Sequence, residues 1–470
     1  METPDNRLST SHSDFSQLET HVQGHVITPD HESYHEARKA WNRTVDQHPA
    51  VIVIPRDRAG VMAAVKLARS NGLPIAVQST GHGIVRPADG CMLVVTSQLQ
   101  ELAVDGESRT AALGAGLKWA TVLAEAQKHG LAPLLGSSPG VGVVGYTLGG
   151  GMGWLSRKYG LAVDSVISID AVTADGEPLR ASLRENSDIF WAMCGGGGGS
   201  FAVVTGIQLR LFPVTTVYAG NLFYSVELAH DVMTRFSEWI KEAPDELTAS
   251  VVLMNFPPLP HVPEPVRGKS FVIVRGCYCG PQHRGEALLR FWRNWKAPAM
   301  DQFGPTPFAQ AGSISRDPVD PVPASGTAFW LSDLSDDAIH TVIDYSVPRQ
   351  GPPPLTLSEV RLAGGAISRV SPQANAFSHR DNTLSLQMTA VTPTPEAQAK
   401  VKEHFTNFKR EMMPHLTGNV YINFLPGEEG RQRTREGYSL ESYSRLKAVK
   451  ATYDPDDCFS YQFDLTSKTT

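Results

Sequence analysis

Residues 77–83 read Val-Gln-Ser-Thr-Gly-His-Gly, an apolar run that empties into a loop of small residues holding one histidine. Glycine has no Cβ, so such a loop brings backbone N–H groups close to an anion. The histidine then stands within reach of whatever carries that anion. The plain alternative is an ordinary turn histidine, and the flanking chain decides between the two. Ala50 to Pro55 reads as a buried strand, and Asp57 can cap a helix with Val61, Val65 and Ala68 at helical spacing. Asn71-Gly72 stops that helix, and Pro74 to Val77 is the next strand, which delivers the loop. Strand, helix, strand and loop make a right-handed parallel βαβ pattern.

A second glycine region constrains the chain further. A helix is expected from Trp119 to His129, with Gly130 after it. Residues 136–153 then carry eight glycines among small and apolar residues. Gly140, Gly142 and Gly145 match G-x-G-x-x-G, and Asp164 lies about where a ribose contact would fall. A dinucleotide fingerprint must follow a buried strand and open a helix. Here Leu131 to Leu135 follow a helix and end in Gly-Ser-Ser-Pro, and the next residues read as too glycine-rich for a helix. An irregular loop cradling a phosphate or a planar ring fits better. Gly195 to Gly199 is a third glycine run, which persists only if it packs on something flat or anionic. Between and beyond these runs, short strands are expected at 91–95, 101–104, 110–113, 166–173 and 201–212.

After Pro213 glycine thins out. Strands at 218–226, 248–254 and 270–277 alternate with helices at 230–243 and 284–295, an α+β texture with an antiparallel sheet. A C-terminal helix is expected at 440–453 and a last strand near 459–463. The chain has 470 residues, a net charge of -6 and no basic run, so no nucleic-acid partner is expected. No segment approaches the ~20 apolar residues of a membrane span. The N-terminus shows no secretory pattern, and five scattered cysteines fit a reducing, cytoplasmic setting. Cys277-Tyr278-Cys279 has the wrong spacing for a zinc half-site and reads as core; no metal ligand set is expected.

Taken in order, these segments resemble the flavin-linked oxidases with a p-cresol methylhydroxylase type FAD domain, above all the berberine-bridge-enzyme-like branch that includes bacterial 6-hydroxynicotine oxidases. The resemblance rests on the loop Ser79 to Gly83, the segment 136–153 followed by Leu155 to Leu161 and Asp164, and the stretches 172–176, 188–192 and 201–205. It continues in Gly364-Gly365-Ala366, His379-Arg380, Tyr421-Ile422-Asn423-Phe424 and residues 443–459. It implies an α+β fold: a two-part FAD-binding domain over 31–213, an α+β substrate domain with an antiparallel sheet over 214–425, and a C-terminal segment, 426–470, returning to the first. Residues 1–30 are expected to be a disordered tail.

By the same resemblance FAD is held by Ser79, Thr80, Gly81, His82 and Gly83, by Ser138, Gly142, Val143, Gly145, Gly149, Gly150 and Gly153, and by Val204 and Gln462. His82 is the position of a covalent bond to the flavin. Many relatives add a second bond from a cysteine, but Ser138 stands there and lacks comparable nucleophilicity, so a single link is expected. The family's Gly-Gly-His reads Gly145-Tyr146, and Phe424 replaces a tyrosine base. Glu359, Tyr421 and Tyr146 are therefore the candidate catalytic residues. Glu359 shares a strand face with Arg361, and either faces the flavin or forms a solvated pair with that arginine. Tyr421 and Tyr146 have packing as their plain reading, and His379-Arg380 reads as a loop staple.

The implied function is an FAD-dependent oxidase. It takes hydride from a C–H bond beside an alcohol or amine of a small, apolar, alkaloid-like metabolite, with molecular oxygen as acceptor. Val141 resembles the oxygen-accessible members. One alternative is a flavin-loaded binding or resistance protein for a redox-active compound. Another is a sugar-lactone oxidase, whose C-terminal His-Trp-Gly-Lys pattern is missing here.

Overall fold

The βαβ pattern forms as the sequence dictates. Val51–Pro55 runs into the helix Arg58–Ser70, whose Asp57 side chain accepts from the Gly60 N–H, and the chain returns through Ile75–Gln78. Val61, Ala64, Val65 and Ala68 form the buried face of that helix. The two strands are parallel but not adjacent, because Met92–Val95 inserts between them and pairs with both. This computed structural model describes residue 15 and residues 22–348, 351 and 353–465. Most of the expected N-terminal tail lies outside the described residues. Within them the expectation fails at Gly24–Ile27, which is a strand paired antiparallel with Val51–Pro55. A Cβ on Gly24 would collide with the Ile54 backbone, so this close edge pairing depends on glycine.

Among the described residues the chain forms three sheets. The first is the four-stranded sheet just described. The second runs Leu102–Asp105, Thr110–Gly114, Val203–Arg210, Val166–Val172, Pro178–Ser182, all antiparallel. One hydrophobic core serves both, and the helices Trp119–Lys128 and Ser187–Gly196 pack into it. The third is an eight-stranded antiparallel sheet. It is built on Thr216–Ser225, Ser270–Tyr278, Leu247–Asn255, Leu357–Leu362, Leu384–Val391 and Ala324–Leu331, with Met300–Asp301 and Gly304–Pro307 on its edge. The helices Ala229–Trp239, Gln282–Arg293, Asp336–Ser346 and Pro395–Met412 cover one face of it through a core containing Val251, Val360, Phe236, Ile339 and Phe408. Side chains alternate along a strand, so Glu359 and Arg361, flanking Val360, point to the opposite face. That face meets the glycine segment, where Arg361 Nη1 lies 3.5 Å from the Met152 carbonyl.

Two local expectations are corrected. Val143–Leu148 is a short helix inside the glycine segment, opened by Gly142. Tertiary packing of Val143, Val144, Thr147 and Leu148 outweighs the poor propensity of its one internal glycine, Gly145. Residues 459–463 form turns rather than a strand. They are nonetheless held tightly: the Ile75 N–H donates to the Cys458 carbonyl at 2.7 Å, and Tyr461 donates to the Asp89 carbonyl. The C-terminal helix Leu440–Tyr453 forms as expected, capped by Ser439. All five cysteines are free thiols, and Cys277 and Cys279 are buried core residues. No helix of the described residues is long and apolar enough to cross a membrane.

Candidate active site

The loop after Ile75–Gln78 turns its carbonyls away: Trp41 N donates to Thr80 O at 3.0 Å and Asn42 N to Gly81 O at 3.2 Å. Gly81 has φ +78°, and a Cβ there would stand 2.8 Å from Ala40. Among the described residues the N–H groups of Thr80, Gly81, His82 and Gly83 meet no acceptor, and the Ser79 hydroxyl is buried without a partner. The loop therefore has the donors of an anion site unspent. His82 stacks on Trp41 at 4.1 Å, and its Nδ1 lies 2.8 Å from the Thr80 hydroxyl. Burial, aided by the Lys118 charge, pushes the imidazole down to about 4. It is neutral at physiological pH.

The other glycine runs converge on this loop. A Cβ on Gly142 would sit 3.0 Å from the Ser79 hydroxyl. Gly198 lies against Leu148 and Val204, and a Cβ on Gly199 would be 3.3 Å from Gln462. Gln462 itself donates to the Val77 carbonyl at 3.3 Å. Gly145 and Gly83 face open space. Gly149 lies against Asn423, and Gly150 against Phe377 and Tyr421. Gly153 packs on the Leu135 carbonyl, and Val143 is buried. Ser138 is half-buried beside Gly140, where the chain is covered by the segment reaching Asp317, whose carboxylate accepts from Ser137 at 2.7 Å. The predicted FAD residues thus form one continuous cradle from three separated stretches and the C-terminus. Asp164 is not part of it: the guanidinium of Arg380 grips it at 2.7 and 3.1 Å, making Arg380 the staple the sequence suggested.

The candidate catalytic residues lie beside the cradle but differ in state. Glu359 is 5% exposed, so its reading as a solvated pair fails. Its Oε2 accepts from Arg361 at 2.9 Å, and its Oε1 lies 3.8 Å from Arg275. Burial pushes the carboxyl up, but the Arg361 and Arg275 charges outweigh it and hold it below the ordinary carboxylate range. Tyr421 is held rather than poised. Its oxygen accepts from Gly151 N at 2.9 Å, Met152 N at 3.1 Å and Asn423 Nδ2 at 3.0 Å. Burial keeps its pKa above the usual phenol value, against the pull of those donors. The Tyr146 hydroxyl is buried, and burial together with Tyr421 keeps its proton on far above the normal range, with Arg361 opposing. Phe424 sits edge-on to Tyr421 at 4.7 Å and 5.7 Å from the Arg361 guanidinium.

Glu359 Oε1, Arg361 Nε and the Tyr146 hydroxyl are among the atoms here buried without a hydrogen bond, although Glu359 Oε1 faces the Arg275 cation at 3.8 Å. Buried polar atoms are rarely left so, and each calls for an explanation. Arg275 escaped the sequence reading because it reaches Glu359 across two strand pairings, an adjacency created only by the sheet. Trp41 escaped it too, since nothing local marks a tryptophan as a histidine's stacking partner.

The FAD binding domain family matches residues 49–182, and the berberine and berberine-like family matches residues 420–463. (R)-6-hydroxynicotine oxidase of Paenarthrobacter nicotinovorans is 25% identical over 458 residues, covering 94% of this chain and 97% of its own. Chitooligosaccharide oxidase of Gibberella zeae is 28% identical over 471 residues, covering 91% and 89%. Among solved structures, BBE-like 1 of Physcomitrella patens superposes with a TM-score of 0.84 at 23% identity over 98% of this chain and 100% of that one, a likeness of fold. The chain is an FAD-linked oxidoreductase. Its two matched segments carry an FAD binding domain and a berberine-like domain, and its α+β fold is like that of the p-cresol methylhydroxylase type FAD proteins.

Proposed function

We propose that the protein is an oxidase that removes hydride from a C–H bond beside an amine, or less readily an alcohol, of a small molecule, with oxygen as acceptor. The observation that carries this reading is a trio of buried atoms without a hydrogen bond, Glu359 Oε1, Arg361 Nε and the Tyr146 hydroxyl, beside the glycine cradle. A ligand held there supplies the missing partners.

The cradle fits FAD. The unspent N–H groups of residues 80–83 suit a pyrophosphate, the Ser79 hydroxyl is orphaned toward the same loop, and Gly145 faces open space where a Cβ would intrude. Ser138, Gly142, Val143, Gly149, Gly150, Gly153, Val204 and Gln462 complete the wall. When bound, FAD supplies the two-electron acceptor and the onward transfer to oxygen, with Val141 leaving that route open. His82 is the nucleophile for a single covalent link, being neutral and backed by Trp41; Ser138 forms none. The division into an FAD-binding part, 31–213, a substrate-binding part, 214–425, and a returning C-terminal segment accords with the sheets, its start moved back to include Gly24–Ile27.

Among the side chains, Phe424 holds no proton, and Tyr146 keeps its own, so it donates to the substrate. Tyr421 fixes the backbone of Gly151 and Met152. Glu359 remains to accept. A carboxylate held below its ordinary pKa is a weak base, which suits holding an amine N–H rather than deprotonating an alcohol. The free thiols accord with a reducing cytoplasm. A binding or resistance protein is the second reading, favoured by the two arginines that already engage Glu359.

Acid precipitation of the purified protein should leave the yellow colour in the pellet, and peroxide should appear with members of an amine and alcohol panel. Colour in the supernatant refutes the covalent link. Tight binding of panel compounds without peroxide selects the second reading.

A further inference from the structure

The two helices that cover the substrate sheet bring together a donor set far from the cradle. His230 lies in the first turn of Ala229–Trp239, and Asp336 and His340 are one turn apart on Asp336–Ser346. Residues i and i+4 share a helix face. Both imidazoles turn Nε2 toward the same carboxylate: His230 Nε2 is 2.7 Å from Asp336 Oδ1, and His340 Nε2 is 3.6 Å from Asp336 Oδ2. The rings lie stacked, 4.4 Å apart. The candidate ligand atoms of all three residues lie within 4.8 Å of one another.

We propose that His230, Asp336 and His340 bind a divalent transition-metal ion, with zinc as the ion of choice. Two imidazole nitrogens and one carboxylate oxygen are a borderline donor set that suits zinc over calcium or magnesium. Tetrahedral bonds of ~2.0–2.2 Å would place ligand atoms roughly 3.4 Å apart, reached here by small side-chain rotations. All three side chains are accessible, at 37%, 69% and 60% exposure, so an ion can enter and a water can take the fourth position. A surface histidine–carboxylate pair explains one contact. It accounts for only one of the two imidazoles that aim Nε2 at this carboxylate. The site sits on the helical side of the sheet, opposite the face carrying Glu359, so its role is to cross-link the two helices rather than to take part in oxidation.

The test uses untagged holoprotein stripped with a chelator and titrated with zinc at pH 7.5 against a metal indicator. One site per chain is expected, together with a zinc-dependent rise in melting temperature. His230→Ala and His340→Ala should each weaken binding by at least about tenfold and remove that rise. The flavin absorbance should stay unchanged, which shows that each variant is folded. Asp336→Asn should weaken binding similarly, and cobalt in place of zinc should give d–d bands that both histidine variants lose. The proposal is overturned if wild type shows no binding at ~1 mM zinc, or if the His230→Ala/His340→Ala double variant binds as wild type does.

Discussion

Replacing Glu359 by Gln removes one negative charge from a cluster in which Arg275, Glu359 and Arg361 are each 5% exposed. Shape and most contacts survive, so the change isolates the charge. Arg361 at 2.9 Å and Arg275 at 3.8 Å then face each other without the anion between them. Leaving a buried charge uncompensated costs about 3–5 kcal/mol. For a unit of this size, each kcal/mol moves the melting temperature by about 2–4 °C, which gives a fall on the order of 6–20 °C. Scanning calorimetry of the flavin-loaded protein at pH 7 measures it. The pH dependence supplies an internal check. The Glu359 carboxyl is depressed below its ordinary value of 4.5, so its stabilisation is complete above that value and is lost as pH falls through the lower folded value. The gap between wild type and variant should therefore be constant from pH 8 to 6 and narrow only below about 4.5. Adding Arg275→Met should recover part of the loss. A fall under about 2 °C at pH 7, where a buried uncompensated charge should cost several times that, would refute the account of this cluster.

Other outcomes follow from the same geometry. His82→Ala should fold and bind FAD but release it on denaturation, seen as loss of in-gel flavin fluorescence. Because burial holds His82 neutral down to about 4, covalent flavin incorporation into apoprotein should be flat from pH 8 to about 5; a decline centred near the ordinary imidazole value of 6.5 would contradict this environment. Tyr421→Phe removes the acceptor shared by Gly151 N, Met152 N and Asn423 Nδ2, and at ~1–3 kcal/mol for each donor left unsatisfied it should lower stability by several kcal/mol in urea unfolding. Phe424→Tyr would place a hydroxyl near the Arg361 cation. Turnover of alcohols should rise at least about tenfold and gain an ascending pH limb, while amine turnover changes little.

Much of the cradle is legible because glycine at fixed offsets records close approach. Gly81 against Ala40 and Gly142 against Ser79 are places where a side chain would crowd its neighbour, and Gly199 packs tightly on Gln462. The strand–helix–strand unit is legible for a related reason, since its periodicity and its Asp57 cap are local. What escaped was set by tertiary packing. The helix Val143–Leu148 survives its internal glycine only because its apolar face is buried, and Gly24–Ile27 is a strand only because Val51–Pro55 offers an edge. Arg275, Glu359 and Arg361 reveal their charge cluster only once the eight-stranded sheet sets its register.

The grip of the C-terminal segment on the first sheet also fixes when the protein can mature. Lys450 reaches the Ser200 carbonyl at 2.9 Å and Asp454 at 2.5 Å, Cys458 accepts from Ile75, and Gln462 reaches Val77. The loop carrying His82 leaves the ribosome with the first sheet, yet the residues that close its far side emerge last. At ~5–20 residues per second that interval is on the order of tens of seconds. The nascent chain must hold an open, glycine-rich cleft for all of that time. With FAD held as proposed, its capture is expected to follow translation, and a chain cut before Leu440 is expected to purify colourless.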